Sequence, residues 1–421
     1  MQKSRFNKYV LYFIMIFPLV LPEGISILSG TAYRLIYKYG RLLSFAIILL
    51  LYCSKLASRK RTVPVQLRYM IILAVYCLII SILGGHGSSS WQSTFWPCLL
   101  AGIIVEYGRK DTDILIETLL IILEFWIYVN LVFMLLYPNG MYVSTTIGYT
   151  KNWLLGYKSS FQYIVFPAVL LGWIKVAYGG NRLRFWALLL TSVVEALFSE
   201  NAMLVVALAV VLICYLLKLT EFTKFFNPKV YSIGILVVNV LFLFSLTVLV
   251  NTSYGSAFLA YYGKSITLNG RASYIWPITM QKISQNPVFG YGVWSSDERR
   301  ELYLDRPAAI HAHNQLLEML FIGGIIFLLI YTVFFLRMNK VTRGCSSKQS
   351  TKIIMFGLFV FFCMMTVEIY MRHIGFPIWV LIYLAFVSNE IDLKYDNKLG
   401  KTKKRSRHHR IRLKTHVNQG L

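Results

Sequence analysis

Long apolar runs, rather than alternating apolar and polar positions, organise this chain. They fall near 9–28, 41–54, 67–83, 91–106, 114–137, 161–178, 185–198, 202–218, 230–250, 316–336, 353–370 and 376–390. Most approach the roughly 20 residues that an α-helix needs to cross the hydrocarbon core; the runs at 41–54, 91–106 and 185–198 are shorter. A barrel would instead read as alternating strands of about ten residues. The pattern predicts an all-α, polytopic membrane protein of about twelve transmembrane helices. Two connections are long: 138–160, and 251–315 between helices nine and ten. The larger one holds Trp276, Phe289 and Trp294 among singly placed glycines, and it reads as an ordered loop with short helices near 272–285 and 295–305.

Composition agrees. Apolar residues make up 57% of the chain and charged residues 14%, against about 25% charged in soluble domains, so a large soluble catalytic domain is excluded. The net charge of +25 would suggest nucleic acid in a soluble protein, but here the positive-inside rule accounts for it and no nucleic-acid partner is expected. Placing Lys3, Arg5 and Lys8 inside puts Lys55, Arg59, Lys60, Arg61, Arg182, Arg184, Arg337, Lys340, Arg343, Lys348 and Lys352 on the same side. Both termini are then cytoplasmic and the 251–315 loop is external. Residues 1–390 form the membrane unit, and 391–421 a basic tail suited to anionic lipid. Pro18 and Pro22 in the first run, with no small-x-small site after it, argue against a cleaved signal peptide. No external cysteine pair is expected, hence no structural disulfide.

The loop carries the candidate chemistry. It contains Asn269-Gly270-Arg271-Ala272-Ser273-Tyr274-Ile275-Trp276, then Asn286-Pro287-Val288-Phe289-Gly290-Tyr291-Gly292, and ends in His311-Ala312-His313-Asn314. Gly290 and Gly292 let backbone approach a neighbour closely. Asn314 suits the N-cap of helix ten, with Glu318 one turn in. A helix N-terminus and a fixed guanidinium, Arg271, suit a phosphorylated group; alternatively Arg271 snorkels and the histidines cap the helix. His311 and His313, two residues apart, are expected to point different ways, and as metal ligands the pair is a weak signal. Glu23, Glu195, Glu200, Glu368, Arg372 and His373 near helix ends suit an outward-facing polar cavity, with Glu368 and Arg372 pairing four residues apart. Glu124 lies mid-helix.

The Arg-x4-Trp, Asn-Pro-x-x-Gly-x-Gly and His-x-His-Asn series in a long external loop resembles the O-antigen ligase and polysaccharide polymerase superfamily. Gly156-Tyr157-Lys158-Ser159-Ser160 looks like a degenerate Gly-x-x-Asn segment of that family. The resemblance implies a metal-independent, inverting glycosyltransferase without cofactor, in a bacterial cytoplasmic membrane. Its donor would be an undecaprenyl-diphosphate-linked oligosaccharide, with His313 essential for transfer, Arg271 on the diphosphate and Asn314 beside them. Many members carry Ser-Arg-Gly where this chain has Ser199-Glu200-Asn201. The missing arginine leaves Lys158, Lys151 or Arg372 as substitutes. Gly290, Gly292 and Glu318 complete the candidate substrate-binding set.

The favoured activity is polymerisation of lipid-linked repeat units of capsular or exopolysaccharide type, with a chain-length regulator and a flippase as partners. Ligation of the glycan to another acceptor is the alternative. A flippase or other transporter is a further one, although transporters usually show related halves and this chain has no evident repeat.

Overall fold

The computed structural model describes residues 2–28, 30–35, 39–59, 62–143, 151–219, 233–234, 237, 271–304, 309–345 and 348–395. Nearly all of the ninth apolar run, the loop stretch 251–270 with Asn269 and Gly270, and the basic stretch after 395 lie outside the described residues.

Pro18 and Pro22 shape the start of the chain. Helix α1 (Gln2–Ile16) passes into a 3-10 turn (Phe17–Val20), and the chain resumes as α2 (Glu23–Leu28) and α3 (Gly30–Leu35), because proline removes a backbone donor and clashes with the preceding turn. Next come α4 (Arg41–Arg59), α5 (Val65–Leu83), α6 (Ser88–Tyr107) and α7 (Thr112–Leu136). A two-residue hairpin pairs β1 (Asn152–Trp153) antiparallel with β2 (Gly156–Tyr157). Beyond it run α8 (Gln162–Ala177), α9 (Arg182–Phe198) and α10 (Ala202–Leu216). The loop region supplies α11 (Trp276–Gln285) and α12 (Ser296–Leu302). The chain continues with α13 (Gln315–Arg343), α14 (Gln349–Met364), α15 (Phe376–Phe386) and α16 (Ser388–Tyr395).

Among the described residues, five stretches are long and apolar enough to cross a membrane, and the pair α15 and α16, bent by 77°, makes a sixth. One of the five, Ser88–Leu136, is 49 residues long. It holds both α6 and α7, separated where Asp111 leaves helical geometry at φ −126 and ψ 34. Fewer stretches qualify than the apolar runs suggest. Helices α1 and α10 have 15 residues, α14 has 16 and α9 has 17.

Helix α15 is buried along its whole length. Tyr383 lies directly over Gly102 of α6, and Leu170 of α8 over Gly357 of α14; such small residues let membrane helices approach closely. Tyr395 stacks on Tyr178 at 4.6 Å, so packing continues through α16 past residue 390. The acids within these helices have polar partners. Glu124 takes Arg184 at 2.5 Å, and Glu117 holds both Arg184 (2.6 Å) and Lys175 (2.5 Å). Glu195 accepts from Asn130 at 2.8 Å, and Asn130 in turn accepts from the Leu155 backbone at 3.0 Å. All six cysteines are free.

The Asn-Pro-x-x-Gly-x-Gly stretch is a clasp. Helix α13 breaks at Gly323 (φ −139, ψ 15) and Gly324 (φ 60, ψ −156). The clasp takes up the exposed backbone groups: Tyr291 N–H donates to Phe321 O (2.9 Å), Gly292 N–H to Ile322 O (2.8 Å), and Ile325 N–H to Pro287 O (2.9 Å). An interrupted helix survives at membrane depth only when its backbone is satisfied in this way. A Cβ on Gly290 would sit 2.6 Å from Gly323 N, and one on Gly292 2.6 Å from the Ser81 backbone.

Candidate active site

The closing turn of the loop is pinned on both sides. Trp276 Nε1 donates to Ala312 O (3.0 Å), and Ala312 N–H donates to Glu318 Oε2 (2.9 Å). Asn314 caps α13 through Leu317 N–H (3.0 Å) and donates to Thr366 O (2.7 Å). Between these anchors His313 takes left-handed backbone, φ 50. That conformation costs a non-glycine residue roughly 1–3 kcal/mol and survives only where the surroundings enforce it. One result departs from the spacing argument. The His311 and His313 rings do not diverge but lie 4.0 Å apart, with His313 N–H donating to His311 Nδ1 at 3.2 Å.

Glu368 faces this turn. Its carboxylate accepts from Arg271 Nη2 at 3.0 Å and lies 3.5 Å from His313 Nδ1. The expected partnership with Arg372 at helical spacing does not form, because α14 ends at Met364 and the chain from 365 to 375 is not helical. That stretch is held by the start of α13: Gln315 N–H donates to Met365 O (3.1 Å) and Tyr370 N–H to Gln315 Oε1 (2.8 Å).

These groups open onto one cavity of about 590 Å³. Arg271, Arg372 and Lys158 supply its cations; His311, His313 and Glu368 line it beside them. Glu23, Ser160 and Gln162 line another part. Ser160 Oγ donates to Glu23 Oε2 (3.0 Å), and His373 Nε2 lies 3.2 Å from Glu23 Oε1. Asn201 Nδ2 donates to Lys158 O (2.6 Å), which ties the Ser-Glu-Asn stretch to the Lys158 segment. Lys151 does not line the cavity; it pairs with Glu200 at 2.6 Å. Three buried polar atoms of the lining make no hydrogen bond within the protein: Gln162 Nε2, Glu368 Oε2, and His313 Nδ1, whose contact with Glu368 is the 3.5 Å ion-pair distance.

Electrostatics set the protonation states. Burial holds both histidines below the usual imidazole value. For His311, the neighbouring His313, Arg372 and Arg271 push further the same way. For His313, Glu368 opposes the fall while Arg271 and Arg372 add to it. Both rings are therefore neutral at pH 7. Burial pushes the Glu368 carboxyl up, but His313, Arg271 and Arg372 overcome it and hold the group below the usual carboxylate range. A neutral imidazole beside a fixed carboxylate can accept a proton, and the arginines can hold an anion. His311, His313 and Glu368 also bring ligand atoms within 4.8 Å of one another, close enough to hold a metal ion, although Arg271 already occupies Glu368 and its charge opposes a cation.

Of the residues singled out by sequence, the cavity thus gathers His313, Arg271, Lys158 and Arg372, together with His311, Glu23, Glu200 and Glu368. Asn314 supports the turn from behind. Glu318 is bound to Arg299 at 2.6 Å and to Ala312, and Gly290 and Gly292 sit in the clasp, so these three lie outside the cavity lining. Gln162 escaped the sequence reading, since a polar residue at a helix start looks like an ordinary cap, and Ser160 entered it only as the last residue of the Gly156–Ser160 segment. Glu368 reads from the sequence as an acid of an outward-facing cavity paired with Arg372; it does line the cavity, but its contacts are Arg271 and His313.

No curated protein matches the chain. Residues 185–332, which carry α9, α10 and the turn with Arg271 and His313, match the family model described as O-antigen ligase. That match covers about a third of the chain and makes this segment similar to the O-antigen ligase family.

Proposed function

We propose that this protein is a polysaccharide polymerase that joins polyprenyl-diphosphate-linked oligosaccharide units at the outer face of a bacterial cytoplasmic membrane. The observation that carries the proposal is the Glu368–His313 pair opening onto the same cavity as Arg271, Arg372 and Lys158. In the proposed reaction an acceptor hydroxyl gives its proton to His313 Nε2, with Nδ1 turned to Glu368. The hydroxyl oxygen bonds to the anomeric carbon as that carbon's bond to the diphosphate oxygen breaks. One in-line displacement inverts the centre. The leaving diphosphate is already a good leaving group, so the cations need only hold its charge and no strong acid is required. This makes a metal unnecessary; a divalent ion on His311, His313 and Glu368 is the second reading, favoured by their proximity. The part of the cavity formed by Glu23, Ser160 and Gln162 offers donors and acceptors for the acceptor sugar.

The chain would cross the membrane about twelve times, as its apolar runs suggest, with both termini inside and the 251–315 loop outside. A flippase would deliver the units and a chain-length regulator would limit the product. Polymerisation is preferred to ligation because Ser199-Glu200-Asn201 departs from the pattern of lipid-core ligases and the tail is basic. The deciding test is the glycan on the lipid carrier in cells lacking the protein. Single units accumulating support a polymerase; long chains stranded on the carrier point to a ligase; loss of outer-face lipid-linked sugar points to a flippase.

A further inference from the structure

A second cavity, of about 540 Å³, is lined by Lys8, Lys55, Lys110 and Lys394 against one acid, Asp111. It lies far from the candidate active site. Asp111 leads directly into α7, and the other end of α7 meets the hairpin beside that site, where Trp153 Nε1 donates to Tyr137 O at 2.8 Å. The 25 residues of α7 span about 37 Å at 1.5 Å per residue.

We propose that this pocket binds the headgroup of an anionic phospholipid. Lys8 and Asp111 offset each other at 2.8 Å, so the lining keeps a net positive charge from Lys110 and Lys394. Nearby acids have cation partners outside the lining: Asp113 pairs with Arg5 at 3.0 Å, and Glu390 and Glu106 share Arg109 at 2.5 and 3.6 Å. Lys55 is positioned, donating to Tyr107 O with its Nζ 4.8 Å from the Tyr107 ring centre. Lys110 and Lys394 are exposed at the rim. Such basic pockets between membrane helices recognise phosphate headgroups. The walls then favour a lipid over a free phosphate. Leu11, Leu51 and Ser54 line the pocket, and one turn along the same two helices Ile14 (three residues from Leu11) and Leu50 (four residues from Ser54) remain 46% and 70% exposed, a surface for acyl chains. The site is independent of the transfer chemistry proposed above.

The test uses the purified, delipidated full-length protein in a neutral detergent. Binding of phosphatidylglycerol, phosphatidylcholine and inorganic phosphate is followed by native mass spectrometry and thermal shift. Phosphatidylglycerol should bind and stabilise, and the double variant Lys110→Ala/Lys394→Ala should bind it on the order of 30-fold more weakly. The corresponding double arginine variant should retain binding, because it keeps the charge. Three outcomes would overturn the proposal: equal affinity in wild type and the alanine variant, equal binding of phosphatidylcholine, or displacement of the lipid by millimolar inorganic phosphate, which would assign the pocket to a free anion.

Discussion

Glu368→Gln isolates the proposed catalytic geometry. The substitution keeps the side chain's shape but removes the charge 3.5 Å from His313 Nδ1. In the proposed transition state the imidazole becomes cationic. At that distance, with an effective dielectric near 20, the attraction is roughly 4–5 kcal/mol before screening. The His313 side chain keeps 20% of its surface exposed, so about 2–3 kcal/mol should remain, a loss of roughly 30- to 150-fold in kcat. The pH dependence supplies a second signature. Glu368 opposes the fall of the His313 pKa, so its neutralisation lowers that pKa further. The acid limb of kcat/KM, already below about 6.5 in the wild type, should therefore move to still lower pH even as the rate drops. The assay is purified enzyme in liposomes with polyprenyl-diphosphate-linked repeat units, polymer being resolved on gels from pH 5 to 8. Activity within threefold of wild type, or a rate loss with an unmoved acid limb, would refute the role given to Glu368.

Three further outcomes follow from the geometry. Arg271→Ala should abolish polymer while the protein still reaches the membrane, and Arg271→Lys should restore only part of the activity, because lysine lacks the fork that grips two phosphate oxygens; polymer yield beside membrane immunoblotting reads both. Gly324→Ala should destabilise the protein by several kcal/mol, since a Cβ there meets Val288 O at 2.3 Å in a backbone region nearly restricted to glycine; a large fall in melting temperature is the readout. Cysteines at Ser296 and Ser406, in a background lacking the native six, should react oppositely with an impermeant thiol reagent in intact cells, with only the first labelled from outside.

The helices were legible where apolar runs end in strong punctuation. Pro64 precedes α5, and Gly84 and Gly108 cap α5 and α6, so those boundaries follow from local chemistry. The end of α14 was not legible, because Val367, Ile369 and Tyr370 extend the apolar run while the chain has already left the helix. Buried Glu368 in that stretch finds its ion-pair partner 97 residues away, a relation that no spacing rule reaches. A buried acid in an apolar run was the available signal. The Asn-Pro-x-x-Gly-x-Gly stretch read as backbone approaching something closely; that something is the broken α13, visible only once Gly323 and Gly324 are seen to interrupt it. The two histidines defeat the spacing argument because one residue in left-handed backbone turns the chain enough to bring their rings together.

The central claim is that His313 performs proton transfer in a reaction that needs no metal. The direct measurement is turnover of polyprenyl-diphosphate-linked units by purified wild type, His313→Ala and His311→Ala, each with and without EDTA. A general base contributes roughly a hundred- to ten-thousand-fold. The account predicts loss of that size in His313→Ala, measurable residual activity in His311→Ala, and no effect of EDTA. Equal loss in both variants together with inhibition of the wild type by EDTA would contradict it, and would instead place a metal ion between His311, His313 and Glu368.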